Sequence, residues 1–327
     1  MNALFRMALG AAFATTSIHV VAHDTHPPRT APAQAAPAAS IAYRSVDVDG
    51  IRMFYREAGP ADAPALLLLH GFPSSSHMFR ALIPLLADRY RVVAPDYPGF
   101  GFSAFPDRAG FPYTFERLAL MTERFTRAVG LQRYVLYVQD YGAPVGFRLA
   151  LLHPDRVAGL VIQNGNAYEE GFSDQWDALE AYWREPSPAN RERLRGWLDA
   201  PGTRSQYTAG LPDAIAARIA PESWTLDWAL LSRPGNIDAQ LDLFGDYRTN
   251  VELYPRFQSF FRERRPPTLV VWGRFDPFFT LAGAQAYRRD LPDAELHILD
   301  AGHFALETDA PRIAQLTRDF LARRVVR

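Results

Sequence analysis

Short, nearly uninterrupted apolar runs recur along this chain, and segments with the period of an amphipathic helix separate them. Such runs are typical of strands buried on both faces of a parallel sheet. The helical patterns between them, such as that over 114–130, fit right-handed crossovers from one strand to the next. The predicted strands lie at 65–70, 90–96, 133–140, 157–165, 267–273 and 294–300. The sequence therefore predicts an α/β fold with a mostly parallel, doubly wound sheet.

Two further patterns complete the predicted organisation of the chain. Residues 41–60 alternate polar and apolar types on either side of Asp49-Gly50, a pair that favours the tight turn of a β-hairpin. Between residues 167 and 264 there is no strand pattern, and helical patches alternate with turns that contain Pro and Gly. A structureless loop of that length is uncommon in a compact domain. We therefore predict a helical cap at 167–264, inserted into a core formed by 41–166 and 265–327.

The N-terminus has the pattern of a signal for export. One positive charge at Arg6 precedes an uncharged stretch of small and apolar residues, and Val20 and Ala22 are suited to a cleavage site before His23. We interpret residues 1–22 as a signal peptide and the Pro- and Ala-rich residues 23–40 as a disordered spacer. This predicts a periplasmic or secreted protein, with a cytoplasmic protein as the alternative. The apolar stretch is too short to predict stable membrane insertion.

Charge and composition exclude several kinds of partner. The formal net charge is −1, which gives no indication of nucleic-acid binding. The chain has no Cys, so disulfides and thiolate chemistry are excluded. No group of His, Asp and Glu has the spacing of metal ligands, and we expect neither a metal nor an organic cofactor. The sequence leaves the oligomeric state open.

Reactive side chains follow four of the predicted strands. Ligands of open α/β sheets bind beyond the carboxyl ends of the strands, where His70, Asp140, Asp276 and His303 are all found. The five residues 138–142, "VQDYG", occupy the places of a G-x-S-x-G elbow, which lifts its central side chain above the sheet. Here the central residue is an aspartate instead of a serine.

Five motifs identify a family resemblance. The segments "HGFP", "APDYPGFGFSAFP", "VQDYG", "WGRFDPFF" and "DAGHFALE" occur in that order. With them the chain resembles the α/β-hydrolases, and within these the branch with an aspartate nucleophile, which contains epoxide hydrolases and haloalkane dehalogenases. The likeness extends from residue 41 to the end of the chain and is weakest in the predicted cap. It implies an α/β-hydrolase fold with Asp140 as nucleophile, Asp276 as acid and His303 as base.

The chemistry of these residue types fits the same roles. A carboxylate is ionised at neutral pH and can attack a saturated carbon without a base, which would leave an alkyl ester on Asp140. His303, oriented by Asp276, would then activate water to hydrolyse that ester. The oxyanion formed in this second step needs donors, for which we predict the backbone N–H groups of Phe72 and Tyr141.

Neighbouring residues have supporting roles in this interpretation. The resemblance implies a cis peptide bond before Pro73, and His70 is predicted to support that turn. Asn164 and Asn166 stand where some relatives place the catalytic acid. As amides they cannot serve as that anion, which leaves Asp276.

An epoxide hydrolase also needs an acid for the opening ring oxygen, which relatives supply as a pair of tyrosines on the cap. Tyr247 is the best candidate for this proton donor and Tyr182 is the second. Either tyrosine could instead only line the pocket. The predicted pocket is apolar, with Trp183, Phe278 and Phe279 among its residues, and this favours a small, uncharged, lipophilic substrate.

A dehalogenase needs N–H donors for the departing halide, and relatives supply a Trp directly after the nucleophile together with a second Trp or an Asn. This chain has Tyr141 and Phe72 at those places, although Trp176 or Trp183 could donate from the cap. We therefore favour epoxide hydrolysis, with haloalkane dehalogenation as the alternative. A third hypothesis, a non-catalytic ligand-binding homologue, does not explain why nucleophile, acid and base are all present.

Overall fold

A twisted sheet of eight strands forms the centre of the computed structural model, which describes residues 40–325. The strand order is β1-β2-β4-β3-β5-β6-β7-β8; β1 and β2 pair antiparallel, as do β2 and β4, and the other pairs are parallel. The strands are β1 (Ala42–Val48), β2 (Ile51–Ala58), β3 (Ala65–Leu69), β4 (Arg91–Pro95), β5 (Tyr134–Gln139), β6 (Val157–Gln163), β7 (Thr268–Gly273) and β8 (Glu295–Leu299). The α/β fold and the six predicted parallel strands are confirmed. The predicted signal peptide, and the predicted spacer up to residue 39, lie outside the described residues.

Burial explains why the central strands read as continuous apolar runs. All six residues of β5 are buried, because the strand lies inside the sheet with helices on both faces. The first hairpin differs, since β1 lies at the sheet edge and most of its residues are exposed. Its turn has positive φ angles at both Asp49 (53°) and Gly50 (79°), as a two-residue hairpin turn requires.

Twelve α-helices accompany the sheet in the described part of the chain. They are α1 (Ile83–Leu86), α2 (Phe115–Ala128), α3 (Gly142–Leu152), α4 (Asp177–Arg184), α5 (Pro188–Arg193), α6 (Ala200–Thr208), α7 (Asp213–Ala216), α8 (Pro221–Leu231), α9 (Asn236–Asp246), α10 (Arg248–Arg264), α11 (Leu281–Asp290) and α12 (Leu306–Arg324). Helices α4 to α10 lie between β6 and β7, a stretch (residues 164–267) that we call the helical segment; it contributes no strand to the sheet. Across residues 40–325, no helix has the length and apolar character needed to cross a membrane.

The start of α2 and the end of α9 connect the helical segment to the core. The Thr114 hydroxyl accepts a hydrogen bond from the backbone N–H of Arg117 and caps α2. The Asp246 carboxylate, at the end of α9, accepts another from the N–H of Phe115 at 2.7 Å. Tyr247 lies between Asp246 and the first residue of α10. The contact with Phe115 therefore anchors Tyr247 beside the start of α2.

Candidate active site

The carboxyl ends of three parallel strands bring Asp140, Asp276 and His303 together. Asp140 follows β5, Asp276 follows β7 and His303 follows β8. The His303 Nδ1 atom lies 2.8 Å from Asp276 Oδ2, and its Nε2 atom lies 3.9 Å from Asp140 Oδ2. All three side chains are buried, with at most 9% of each exposed. The structure therefore brings the predicted nucleophile, acid and base within reach of one another.

A strained corner presents the Asp140 side chain. Asp140 has a φ of 48°, in the left-handed region that non-glycine residues rarely adopt, and its N–H donates to the Asn164 carbonyl at 3.1 Å. A Cβ atom on Gly142 would lie 2.0 Å from the carbonyl oxygen of Leu69, at the end of β3. The corner thus requires the glycine that follows Asp140 by two residues, whereas the first elbow position tolerates Val138.

Backbone N–H groups converge on the Asp140 carboxylate. The N–H of Phe72 donates to Asp140 Oδ1 at 2.6 Å. Burial raises the pKa of the Asp140 carboxyl, while His303 and the N–H groups of Phe72 and Tyr141 act in the opposite direction. The Phe72 N–H therefore bonds this carboxylate, and the Tyr141 N–H is near enough to lower its pKa. Their arrangement can stabilise negative charge on an Asp140 oxygen.

Hydrogen bonds of His70 hold the turn that carries Phe72. The Phe72–Pro73 peptide bond is cis, as the resemblance implied. His70 Nδ1 lies 3.0 Å from the Gly71 carbonyl oxygen, and the N–H of Tyr97 donates to His70 Nε2 at 3.2 Å. Burial lowers the pKa of His70 to about 3, so its ring is neutral at physiological pH. His70 contacts the turn and not the three site residues.

Hydrogen bonds hold the Asp276 carboxylate in place. Its Oδ1 accepts from the N–H groups of Phe278 and Phe279 at 2.8 and 3.1 Å. Its Oδ2 faces His303 and also accepts from the Asn164 side-chain amide at 2.7 Å. Burial lowers the pKa of His303, but the charge and hydrogen bond of Asp276, together with the charge of Asp140, raise it above its usual value. The sequence excludes Asn164 as the acid and indicates no other role for it; in the structure its amide donates to Asp276, the predicted acid.

Aromatic rings surround the site. Phe278 and Phe279 lie against the His303 ring, with centroids 5.3 and 5.7 Å away. Trp183 lies further out, stacked on Tyr247 with centroids 5.9 Å apart, and lines an open groove of about 680 Å³. The three predicted pocket residues therefore occupy two layers, with the phenylalanines next to the histidine and the tryptophan behind Tyr247.

Three buried tyrosine hydroxyls, whose pKa values the Asp140 charge raises, have no partner of good hydrogen-bond geometry among residues 40–325, and two of them lie side by side. These are the buried hydroxyls of Tyr141 and Tyr247, whose rings lie 6.0 Å apart. Burial raises the pKa of Tyr141, and the Asp140 charge adds to this effect. Burial raises the pKa of Tyr247 most, followed by the electrostatic effects of Tyr254 and Asp140 and by a side-chain contact with the Tyr254 hydroxyl. Tyr97 has the third of these hydroxyls; burial and then the Asp140 charge raise its pKa, and its ring packs on His70 with centroids 4.2 Å apart.

The second predicted proton donor lies elsewhere. Tyr182 is half-buried on α4, packs against Gly245 and lines an open groove beside Arg108 and Thr114. Its position on α4 directs it to this outer surface, so the structure does not pair it with Tyr247 over Asp140. The ring next to Tyr247 is that of Tyr141, which we predicted as a backbone donor to the oxyanion and not as a proton donor.

Indole N–H groups in the helical segment already have partners. Trp176 Nε1 donates to the Phe278 carbonyl at 2.9 Å, and Trp183 Nε1 donates to the Phe244 carbonyl at 2.8 Å. Neither indole is available to a leaving group in this arrangement.

Among residues 40–325 no cluster of three or more His, Cys, Asp or Glu side chains is placed to hold a metal ion.

A buried polar cluster links the helical segment to the loops of the site. Asp227 on α8 accepts hydrogen bonds from the Ser74 hydroxyl at 3.3 Å and from the Tyr207 hydroxyl. Ser74 follows the cis turn after Phe72, and the Tyr207 ring stacks on Phe304, next to His303, with centroids 4.0 Å apart. Burial raises the pKa of Asp227 to about 7. Nothing in the spacing of the sequence indicated this cluster, since its members come from three distant segments.

Comparisons with known proteins agree with this architecture. A family model described as alpha/beta hydrolase fold matches residues 64–310. An uncharacterized hydrolase of Saccharomyces cerevisiae is 46% identical over 271 residues, 82% of this chain and 92% of that protein. A haloalkane dehalogenase of Mycolicibacterium paratuberculosis is 40% identical over 288 residues, 82% of this chain and 87% of that protein.

A solved structure of the epoxide hydrolase CorEH superposes with a TM-score of 0.70 at 20% identity, covering 87% of this chain and 99% of that one, which shows a shared fold. The strand order, the elbow at Asp140 and the family match lead to the same assignment. The chain belongs to the α/β-hydrolase fold family and is a hydrolase similar to haloalkane dehalogenases and epoxide hydrolases.

Proposed function

We propose that this hydrolase opens an uncharged, lipophilic epoxide to a diol through a covalent ester on Asp140. The observation that carries the proposal is the buried, unpartnered hydroxyl of Tyr141 directly after Asp140, beside the buried hydroxyl of Tyr247, which contacts Tyr254. An opening epoxide needs acidic O–H groups at its ring oxygen. Buried hydroxyls that satisfy no group of the protein are suited to that need.

In the first step, an Asp140 oxygen attacks an epoxide carbon and the bond from that carbon to the ring oxygen breaks. Tyr247 gives its hydroxyl proton to the ring oxygen, and the Tyr141 hydroxyl donates a second hydrogen bond to it. The products are a hydroxyalkyl ester of Asp140 and a tyrosinate. Both tyrosines lie among apolar rings, which strengthens each of these hydrogen bonds relative to water.

In the second step, His303 Nε2 takes a proton from water while the water oxygen attacks the ester carbonyl of Asp140. The N–H groups of Phe72 and Tyr141 stabilise the oxyanion, and each such donor is typically worth about 3 kcal/mol. The tetrahedral intermediate then expels the diol alkoxide, which takes the proton from His303. The remaining water proton leaves the Asp140 carboxyl and restores the tyrosine.

The helical segment acts as a cap in this proposal. It supplies Tyr247 at the start of α10 and places Trp176 against it, with ring centroids 4.8 Å apart. The same rings exclude water from the first step, which protects the reaction from uncatalysed side reactions. An apolar cap also favours an uncharged substrate.

Haloalkane dehalogenation is the second candidate function. The similarity to a haloalkane dehalogenase at 40% identity favours it. It needs N–H donors for the halide, however, and the indoles of Trp176 and Trp183 both donate to backbone carbonyls. The position after the nucleophile offers the Tyr141 hydroxyl instead of an indole.

Parallel turnover assays test the proposal. Purified protein is incubated with matched panels of lipophilic epoxides and haloalkanes, and diol and halide are both quantified. We expect diol formation, with kcat reduced about 100-fold by Tyr247→Phe and less by Tyr141→Phe. Tyr134→Phe is the matched control, because that hydroxyl is also buried and unpartnered but lies at the opposite end of β5. Halide release that survives both site variants would reverse the assignment.

A further inference from the structure

The residue directly before the nucleophile contacts the base. The Gln139 side-chain nitrogen lies 3.0 Å from His303 Nε2, nearer than the Asp140 carboxylate at 3.9 Å. The same nitrogen lies 3.4 Å from the His303 backbone carbonyl oxygen. This orientation of the amide keeps two oxygens apart, and it leaves the buried Gln139 Oε1 without a hydrogen-bond partner among residues 40–325. Gln139 therefore presents N–H groups to the histidine.

With the amide in this orientation, the contact assigns the proton to one nitrogen of His303. An amide N–H only donates, so the Nε2 atom that faces it must be the acceptor. The other ring nitrogen, Nδ1, lies 2.8 Å from Asp276 Oδ2 and donates to that carboxylate. The ring is then neutral. Its separation of 3.9 Å from Asp140 is too long for a hydrogen bond to the nucleophile.

Two carboxylates act against this neutral state. Asp276 and Asp140 both favour the protonated ring, and the pKa of His303 is raised despite its burial. The aromatic neighbours of the ring are the side chains of Phe278, Phe279 and Phe304. In the described part of the chain, Gln139 is the polar group at His303 that stabilises the neutral form.

We propose that Gln139 is a positioning residue for ester hydrolysis, whose amide holds His303 in its neutral, Nδ1-protonated form until water replaces it at Nε2. The inference rests on the proposed two-step function. When water binds, its O–H takes the place of the amide N–H, and its proton moves to Nε2 as its oxygen attacks the ester. Gln139 contributes no proton and no electron pair to the reaction.

Nuclear magnetic resonance of the resting protein tests this without any substrate. The imidazole nitrogens of ¹⁵N-labelled protein are assigned by comparison with His303→Gln and titrated with pH. In the wild-type chain we expect the ¹⁵N shifts of His303 to report a proton on Nδ1. A neutral ring with its proton on Nε2 would overturn the inference, even if no Gln139 variant folds.

A near-isosteric variant measures the size of the effect. Gln139→Leu removes a hydrogen bond to the neutral ring, and we expect the pKa of His303 to rise by about half to one unit. Gln163→Leu is the matched control, because Gln163 lies opposite Gln139 on β6, is equally buried and bonds Tyr137 instead of the site. An unchanged or lowered pKa in Gln139→Leu would contradict the inference.

Single-turnover kinetics connect this shift to the reaction. With an epoxide substrate, Gln139→Leu should move the acidic limb of the hydrolysis step to higher pH by the same amount, while ester formation keeps its wild-type pH profile. If no epoxide is turned over but the pKa shift appears, the proposed function fails and the role of Gln139 at the histidine stands. If epoxides are turned over and hydrolysis keeps its profile, the inference fails alone.

Discussion

Replacing Asp227 by asparagine should change how the stability of the protein depends on pH. The Asp227 carboxyl is completely buried between the helical segment and the loops of the site, and its pKa rises from 3.8 to about 7. In the unfolded chain, the same carboxyl regains an ordinary value near 4. Between these two values, the folded protein holds a proton that the unfolded chain has lost.

The sign and the size of the effect follow from this difference. Because the folded state binds more protons within that window, the free energy of unfolding falls as pH rises, by about 1.4 kcal/mol per pH unit. The contribution is largest below pH 4 and is lost by about pH 7, a total of about 4 kcal/mol. Asparagine does not titrate. The free energy of unfolding that the variant loses through mismatched hydrogen bonds with Ser74 or Tyr207 is the same at every pH.

Guanidinium chloride unfolding at pH 5 and pH 8 measures the difference. About two pH units of this window lie above pH 5. The free energy of unfolding of Asp227→Asn, relative to that of wild type, should therefore be about 3 kcal/mol higher at pH 8 than at pH 5. Asp62→Asn, in an exposed turn, controls for removal of a carboxylate as such. A difference between Asp227→Asn and wild type that stays constant with pH would refute the reasoning, because it would mean that Asp227 is ionised in the folded protein throughout this range.

Three further predictions follow from the site and the N-terminus. His303→Gln should form the Asp140 ester and fail to hydrolyse it, so a good substrate should leave a mass adduct on the protein; its absence would contradict the role of His303 as base. Gly142→Ala should destabilise the protein by about 3 kcal/mol or prevent folding, because its Cβ would meet the Leu69 carbonyl, whereas Gly196→Ala, with open space around it, should cost less in a thermal melt. We also propose that the protein is exported, so N-terminal sequencing of material from an exporting host should begin at His23, and an uncleaved Met1 would contradict export.

The sheet could be predicted from the sequence because its strands are buried on both faces. Each central strand therefore had to be an apolar run, and the side chains following the runs had to meet at one edge of the sheet. Asp140, Asp276 and His303 were found in this way. The antiparallel strands β1 and β2 could be predicted equally well. Polar and apolar residues alternate on both sides of Asp49-Gly50, a pair that accepts positive φ angles.

The helical segment was less predictable for a physical reason. Its helices contact the core through side chains whose partners are distant in sequence, so periodicity identifies the helices but not what each residue faces. Tyr182 was predicted as the second proton donor, but α4 directs it to an outer groove. The tyrosine that lies beside Tyr247 is Tyr141. The partners of Trp176 and Trp183 are backbone carbonyls, which no sequence pattern marks.

Gln139 and Asn164 show the same limit within the core itself. Gln139 belongs to the "VQDYG" motif and Asn164 follows β6, but no sequence pattern indicated that one contacts His303 and the other Asp276. Their side chains act across strands that are neighbours in the sheet, and such pairings depend on strand order. The order β5-β6-β7-β8 places Asn164, at the end of β6, between the nucleophile and the acid.

The central claim is that the carboxylate of Asp140 becomes covalently attached to substrate, and one measurement tests it most directly. A single turnover of a good substrate is run in ¹⁸O-labelled water with protein in excess, and the peptide containing Asp140 is weighed after digestion. Water that attacks the ester carbonyl leaves its oxygen in the Asp140 carboxylate, so the peptide should gain one ¹⁸O atom while the product stays unlabelled. Label found wholly in the product, with none in the peptide, would show that water attacks the substrate directly and would contradict the account.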